Sequence, residues 1–311
     1  MFPLDENEIE KLDGNDLDAL SGLDAQGIFA APSEDIGSFK ARLIKIGAKL
    51  KTIEDDLQKK GEFNLLDCLL LKAKDRINQE IMSEAAEITE KAYSFRIGWV
   101  PGFFLSESLS FLWGGCAISF PEECYSIFLI RSSFARMRRW FIYRRDELLS
   151  HELCHAARMP IGDRFFEEHF AYRLSFSALR RYMGNCFQYK YDSILFILPV
   201  FLLLAVQIIT TFTSWAIPVY PFWILAFVYP LFLLSRNQLC RNCCKRAERV
   251  LAEAGMNNPY AVLFRSTKNE IFEISRLKGN NNGLKDFVKN KCADDLRWKI
   301  IRHRFIRDWT N

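Results

Sequence analysis

In His151-Glu152-Leu153-Cys154-His155 two histidines four positions apart flank a glutamate. Residues four apart on a helix stand one above the other, so His151 and His155 would aim two imidazoles at one point with Glu152 beside them. Two neutral nitrogen ligands, a carboxylate that takes a proton from water and an open coordination position are what a hydrolytic zinc centre needs. Histidine is scarce: the 311 residues hold four, and three of these, His151, His155 and His169, fall within nineteen positions. Cys154 would point about a third of a turn away from the imidazoles, where packing is its expected role.

Zinc requires a third protein ligand, and the next helical stretch offers Glu167 and Glu168, twelve and thirteen positions after His155. Here the sequence resembles the gluzincin metallopeptidases, in which a His-Glu-x-x-His helix is followed by a second helix that donates a glutamate. One branch writes that ligand as Glu-Gly-Phe-Ala, and this chain has Glu168-His169-Phe170-Ala171. The resemblance covers about Leu109 to Arg181 and implies zinc on His151, His155 and Glu168, with Glu152 as the general base. Glu167 would support the site, although its small, apolar helical face leaves an exchange of roles with Glu168 open. The resemblance also implies an antiparallel edge strand beside the metal, for which Trp113-Gly114-Gly115-Cys116-Ala117 is the candidate, against the plainer alternative of a turn. His169 departs from the family pattern, and only Tyr172 lies near enough in sequence to suggest an oxyanion stabiliser.

The elements that must position these residues form a sequence of distinct textures. Residues 1–36 are acidic with little apolar periodicity, with ten Asp and Glu against one Lys through Asp35, and are expected to be a disordered tail. Over 37–92 a helical hairpin is expected. Its first helix carries the stripe Phe39, Leu43, Ile46, Leu50, Ile53 and Leu57 and ends at Gly61, and its second runs from about Phe63 to Ala92. Residues 93–191 form the expected zincin-like domain, with strands over Leu109–Phe120, Tyr125–Arg131 and Trp140–Tyr143. The metal-binding helix follows from Asp146 to Pro160, and another runs from Asp163 towards Arg181.

Residues 192–235 read as a transmembrane helical hairpin, with spans at about 193–214 and 216–234 that contain no Asp, Glu, Lys or Arg. Trp215, Tyr220 and Trp223 lie near the turn, as interfacial aromatics do. Cations such as Arg180, Arg181 and Lys190 before the block and Arg236, Arg241 and Lys245 after it place both termini and the site in the cytoplasm. The first 35 residues carry −9 against a chain total of +4, so the remainder carries +13. Its densest clusters flank the apolar block, where anionic lipid headgroups explain them without nucleic acid. The nine cysteines show no disulfide framework, and no cleavable signal is expected ahead of the acidic segment. Residues 236–311 read as a basic cytoplasmic region with a helix over Arg246–Ala254, a strand over Tyr260–Arg265, a turn at Asn280–Gly283 and a C-terminal helix.

These readings combine into an α+β zincin-like domain with a preceding helical hairpin and a two-helix transmembrane hairpin. The expected activity is that of a membrane-anchored zinc metallopeptidase acting on a peptide or protein substrate. A membrane-anchored scaffold with a vestigial site, or a zinc-binding sensor, stands as the alternative. Composition does not fix the oligomeric state, the substrate or the part played by Cys240, Cys243 and Cys244.

Overall fold

The computed structural model describes residues 2–66, 69–105, 113–213, 215, 217–277 and 281–306. The acidic segment expected to lack a fold instead forms α1 (Glu6–Glu10) and α2 (Leu17–Ala25), with Ile9, Leu20, Leu23 and Phe29 buried. Its acids have structural tasks that composition conceals. Asp5 and Glu8 form a capping box on α1, Asp16 caps α2, and Asp35 caps α3 (Ile36–Lys60). All six apolar stripe residues of α3 are buried, and the helix stops at Gly61 as the pattern predicts.

The second helix begins later than expected. After α3 the chain makes an antiparallel ribbon of β1 (Glu62–Leu65) and β2 (Leu69–Lys72), in which Phe63 pairs with Leu71 and Leu65 with Leu69. A short, leucine-rich run does not by its periodicity distinguish strand from helix. The helix α4 (Gln79–Tyr93) starts where Asn78 accepts a hydrogen bond from the Ile81 amide. A three-stranded sheet follows, built from β3 (Gly102–Leu105), β4 (Gly115–Phe120) and β5 (Tyr125–Arg131) in the order β3-β5-β4. β5 is buried throughout and runs parallel to β3 and antiparallel to β4, with Ala117 opposite Phe128. The first four residues of the expected strand over Leu109–Phe120 lie outside the described residues, and the remainder contains β4.

The strand expected over Trp140–Tyr143 is a tight turn between β6 (Arg139–Trp140) and β7 (Tyr143–Arg144). The chain then enters α5 (Arg145–Arg158) and reverses into α6 (Arg164–Arg173). α6 does not continue to Arg181. It ends at Leu174, and Ser177 caps a separate short helix, α7 (Ala178–Met183).

The apolar block folds as α8 (Asp192–Phe212) and α9 (Tyr220–Glu253), two helices long and apolar enough to cross a membrane. Ser214 and Ala216, in the expected turn, lie outside the described residues. Only 17 % of the most apolar stretch of each helix is buried within the chain, which leaves most of their apolar surface uncovered. Asp192 and Arg236 pair at 2.5 Å across the foot of the hairpin, and the Tyr229 hydroxyl donates to Asp192 at 2.7 Å. α9 does not stop with its apolar half. At about 1.5 Å per residue its 34 residues span roughly 50 Å, well beyond a hydrocarbon layer of about 30 Å, and its second half enters the protein core.

There it packs with α10 (Pro259–Arg265) and α11 (Lys268–Arg276), ahead of α12 (Asn281–Asp294) and α13 (Leu296–Phe305). α10 replaces the strand expected over Tyr260–Arg265, because Asn258 caps it and Pro259 supplies a preset first helical turn. The expected turn at Asn280–Gly283 likewise falls at the start of α12, with Asn280 outside the described residues. The C-terminal region shares one hydrophobic core with the N-terminal helices, from Ile9 to Ile306. Some of the basic charge is internal: buried Arg265 pairs with Asp24 at 2.9 Å, Arg304 also reaches Asp24, and buried Arg297 pairs with Glu270 at 2.7 Å. The fold is therefore α+β, mostly helical with small sheets.

Candidate metal centre

α5 is a core helix, with Leu149, Leu153, Cys154 and Ala157 buried around most of its circumference. Cys154 takes the packing role expected of it. The remaining face carries His151 and His155, whose Nε2 atoms lie 3.0 Å apart. The reversal into α6 is fixed by an Arg158–Asp163 ion pair at 3.1 Å and by Asp163 accepting from the Phe165 amide at 2.9 Å. It brings Glu168 opposite the imidazoles, with Oε2 3.6 Å from His151 Nε2 and Oε1 3.5 Å from His155 Nε2.

These separations can be compared with the geometry of a metal centre. Four ligands at about 2.0–2.1 Å in a tetrahedron stand about 3.3 Å from one another. The imidazole nitrogens lie 3.0 Å apart and the two Glu168 oxygens face them one each at 3.5 and 3.6 Å, a looser set in which one donor atom from each residue falls within 4.8 Å of the others, and His151, His155 and Glu168 could hold a metal ion. Among the described residues they are the one group of three potential ligands brought together in this way.

Glu167 faces differently. Its Oε1 lies 3.0 Å from His155 Nδ1, so it accepts from the far side of that ring and leaves Nε2 directed at the shared point. The supporting position and the ligand position are thus separated by adjacent residues on one helix. His169 does not join the group; its buried ring meets Phe170 edge-on at 5.7 Å. Cys240, Cys243 and Cys244 are buried in α9 rather than presented at a surface.

Glu152, next to His151 on α5 and close enough to His155 to interact with its charge, accepts through Oε2 from the Ala117 amide at 3.1 Å. Among the described residues β4 pairs with β5 alone, so it is an edge strand, and Glu152 holds an amide on that edge. Gly115 begins the strand because a Cβ there would come within 2.8 Å of the Leu129 carbonyl. The glycine-containing segment is thus the start of an edge strand and not a simple turn.

The electrostatics are unbalanced. Burial holds His151 well below its ordinary pKa, helped by His155 and Arg180. Burial acts against charge on His155 too, but its contact with Glu167 and the nearby Glu168 and Glu152 carboxylates outweigh it, pushing the ring up to about 9. Glu152 is raised by burial, and burial with neighbouring Glu167 and Glu152 lifts Glu168 to about 7 against the pull of His155. Three carboxylates therefore share one readily charged imidazole. A divalent cation would answer this excess of negative charge.

Two further residues complete the site, and neither was placed with any weight from sequence. Tyr172 follows Glu168 by one helical turn, a spacing that is visible once Glu168 is chosen, and its ring meets that of His151 at 4.6 Å. Gly184 keeps it there, since a Cβ at that position would fall 2.0 Å from the Tyr172 ring. Arg180 pairs with buried Glu147 at 2.7 Å and lies over the Tyr143 ring at 5.4 Å. A cavity of about 390 Å³ adjoins the centre, lined by Glu168, Tyr172, Leu179, Arg180, Met183, Gly184 and Phe187. A larger one of about 750 Å³, between the N-terminal segment and α3, contains none of the metal-centre residues. Comparison with protein-family models, with curated proteins and with solved structures finds no match to this chain.

Proposed function

We propose that this chain is a membrane-anchored zinc metallopeptidase of gluzincin type, with His151, His155 and Glu168 as the metal ligands and Glu152 as the general base. The observation that carries the reading is the convergence of those three donors beside a buried carboxylate held on the edge of β4. When bound, zinc supplies a Lewis acid that polarises a scissile carbonyl and lowers the pKa of a neighbouring water. An extended substrate segment pairs with the edge of β4, which brings its backbone to the level of Ala117 and Glu152. Glu152 takes a proton from the attacking water and passes it to the leaving amine; burial raises its proton affinity towards that task. Glu167 orients His155 through Nδ1. Tyr172, kept neutral by burial, provides a hydroxyl for the oxyanion in the cavity that it lines with Glu168.

In the same reading α8 and the apolar half of α9 cross the bilayer as a hairpin, with both termini and the site in the cytoplasm. A reporter fused after Asn311 reads as cytoplasmic; a translocated reporter rules out this topology. The catalytic reading is tested by zinc content and peptide hydrolysis of the purified full chain. Stoichiometric zinc with hydrolysis supports it, zinc without turnover of any peptide favours a sensor, and absence of zinc favours a scaffold.

A further inference from the structure

Outside the α8–α9 hairpin, the exposed large apolar side chains are not scattered. Among the described residues, apart from Leu66 and Leu70 on the β1–β2 ribbon, they fall at 137–142 and at 176–191. Phe141 and Ile142 form the tip of the β6–β7 turn; Phe176, Leu179, Met183 and Phe187 follow α6, and Leu179 is 70 % exposed. The two stretches are joined, because the Arg144 guanidinium stacks 3.9 Å over the Phe176 ring and Arg180 lies over Tyr143. They continue into the hairpin, where Phe187 meets Phe196 of α8 edge-on at 5.6 Å. The metal-centre cavity opens within this surface, with Leu179, Met183 and Phe187 in its wall.

Charge singles out one occupant for the surface. Residues 132–145 and 174–191 contain no Asp or Glu, and exposed Arg136, Arg139, Arg181 and Lys190 lie among the apolar side chains. Apolar side chains interleaved with cations, directly beside two bilayer-length helices, match an anionic lipid surface. We infer that the mouth of the metal centre is seated in the headgroup layer of the membrane, and that the site takes polypeptide segments held at that surface. The seating rests on the rim and on the bilayer-crossing hairpin beside it. The substrate class rests also on the peptidase reading given above.

Two measurements separate these claims. The full chain is reconstituted in phosphatidylcholine–phosphatidylserine vesicles containing a photoactivatable phospholipid, and the adducts are mapped by mass spectrometry. Adducts on Phe141–Ile142 and on 176–187, with none on the ribbon at Leu66 and Leu70, are expected. Adducts confined to α8 and α9, or equally dense on the ribbon, overturn the seating and leave the rim to a protein partner.

The second measurement compares one peptide sequence free and joined to a lipid anchor. Colocalisation on the vesicle favours the anchored peptide for any membrane-bound enzyme, so the Phe141→Glu/Ile142→Glu double variant provides the contrast. It is expected to lower cleavage of the anchored peptide by roughly tenfold, through lost effective concentration at the mouth, and to leave the free peptide unchanged. An equal effect on both peptides, or on neither, overturns the substrate class. If the wild type cleaves neither peptide, the peptidase reading and the substrate class fall together, while the adduct map still decides the seating.

Discussion

Two buried polar clusters in this chain are made of similar side chains and end in different states. In the C-terminal region, Glu270 accepts from Arg297 at 2.7 and 3.0 Å, from the Trp298 indole at 2.7 Å and from the Thr267 amide at 2.7 Å, while Asp295 takes a further bond from Arg297. Burial would raise Glu270, but Arg297 and these donors win and hold its carboxyl down at about 2. At the α5–α6 junction, Glu168 faces two imidazoles at 3.5 and 3.6 Å with no guanidinium to hold it, and burial, with the Glu167 and Glu152 carboxylates, carries it up to about 7. The first cluster is closed, with Arg297 seated between two carboxylates and the Glu270 acceptors filled, and it holds α11 to α13. The second is left short of positive charge, and it is the second that borders a cavity and an edge strand. A buried carboxylate with a complete set of donors has a structural task; one whose partners converge on a shared point without filling it is a candidate for chemistry, which is the basis of the function proposed above.

The contrast breaks most readily at Glu270. Glu270→Gln is expected to destabilise the fold by roughly 3–5 kcal/mol, because it leaves Arg297 buried with a single carboxylate. Denaturant unfolding of the full chain in detergent measures this, and a loss near zero removes the closed-cluster reading. The pH dependence has a definite sign. Glu270 is depressed from 4.5 to about 2 in the fold, so its contribution is complete above pH 4.5 and disappears as pH falls towards 2. Wild type should therefore lose stability relative to Glu270→Gln across that window, whereas a constant difference contradicts the assignment.

At the other cluster, Glu152→Gln is expected to lower peptide hydrolysis at least roughly a hundredfold with zinc retained, since the residue acts on water rather than on the metal. Zinc loss in this variant would instead make Glu152 a ligand. Gly184→Ala is expected to reduce turnover by roughly tens of fold, since its Cβ must displace the Tyr172 ring; unchanged turnover removes Tyr172 from the mechanism. The smallest effect is expected for Glu167→Gln, a roughly tenfold weakening of zinc affinity through the loosened His155 ring. A weakening greater than that of Glu168→Gln would exchange the roles of the two glutamates.

The same contrast explains what could be read from sequence. The metal-centre residues are close along the chain, so helical spacing puts His151 and His155 on one face and offers Glu167 and Glu168 on the next helix, while the preference for Glu168 comes from the family resemblance and not from spacing. The α3 stripe and the apolar hairpin were legible for the same local reason. The closed cluster was not, because Glu270 and Arg297 meet across a helix boundary with nothing in their spacing to mark it. Nor was the N-terminal fold. Asp24 reads as one more acid in an acidic run until Arg265 and Arg304, more than two hundred positions away, are found beside it. Short apolar runs misled in both directions: Leu69-Leu70-Leu71 is strand where helix was expected, and Tyr260–Arg265 is helix where strand was expected. In both, tertiary packing and capping outweigh local periodicity.

The central claim is that three side chains at the α5–α6 junction form a zinc site. Its most direct test is the metal content of the purified full chain beside His151→Ala and Glu168→Gln, read with a folding check by circular dichroism. The account predicts stoichiometric zinc in the wild type, and little or none in either variant, with helical content unchanged. Zinc absent from the wild type after purification in zinc-replete medium, or retained in full by both folded variants, contradicts it.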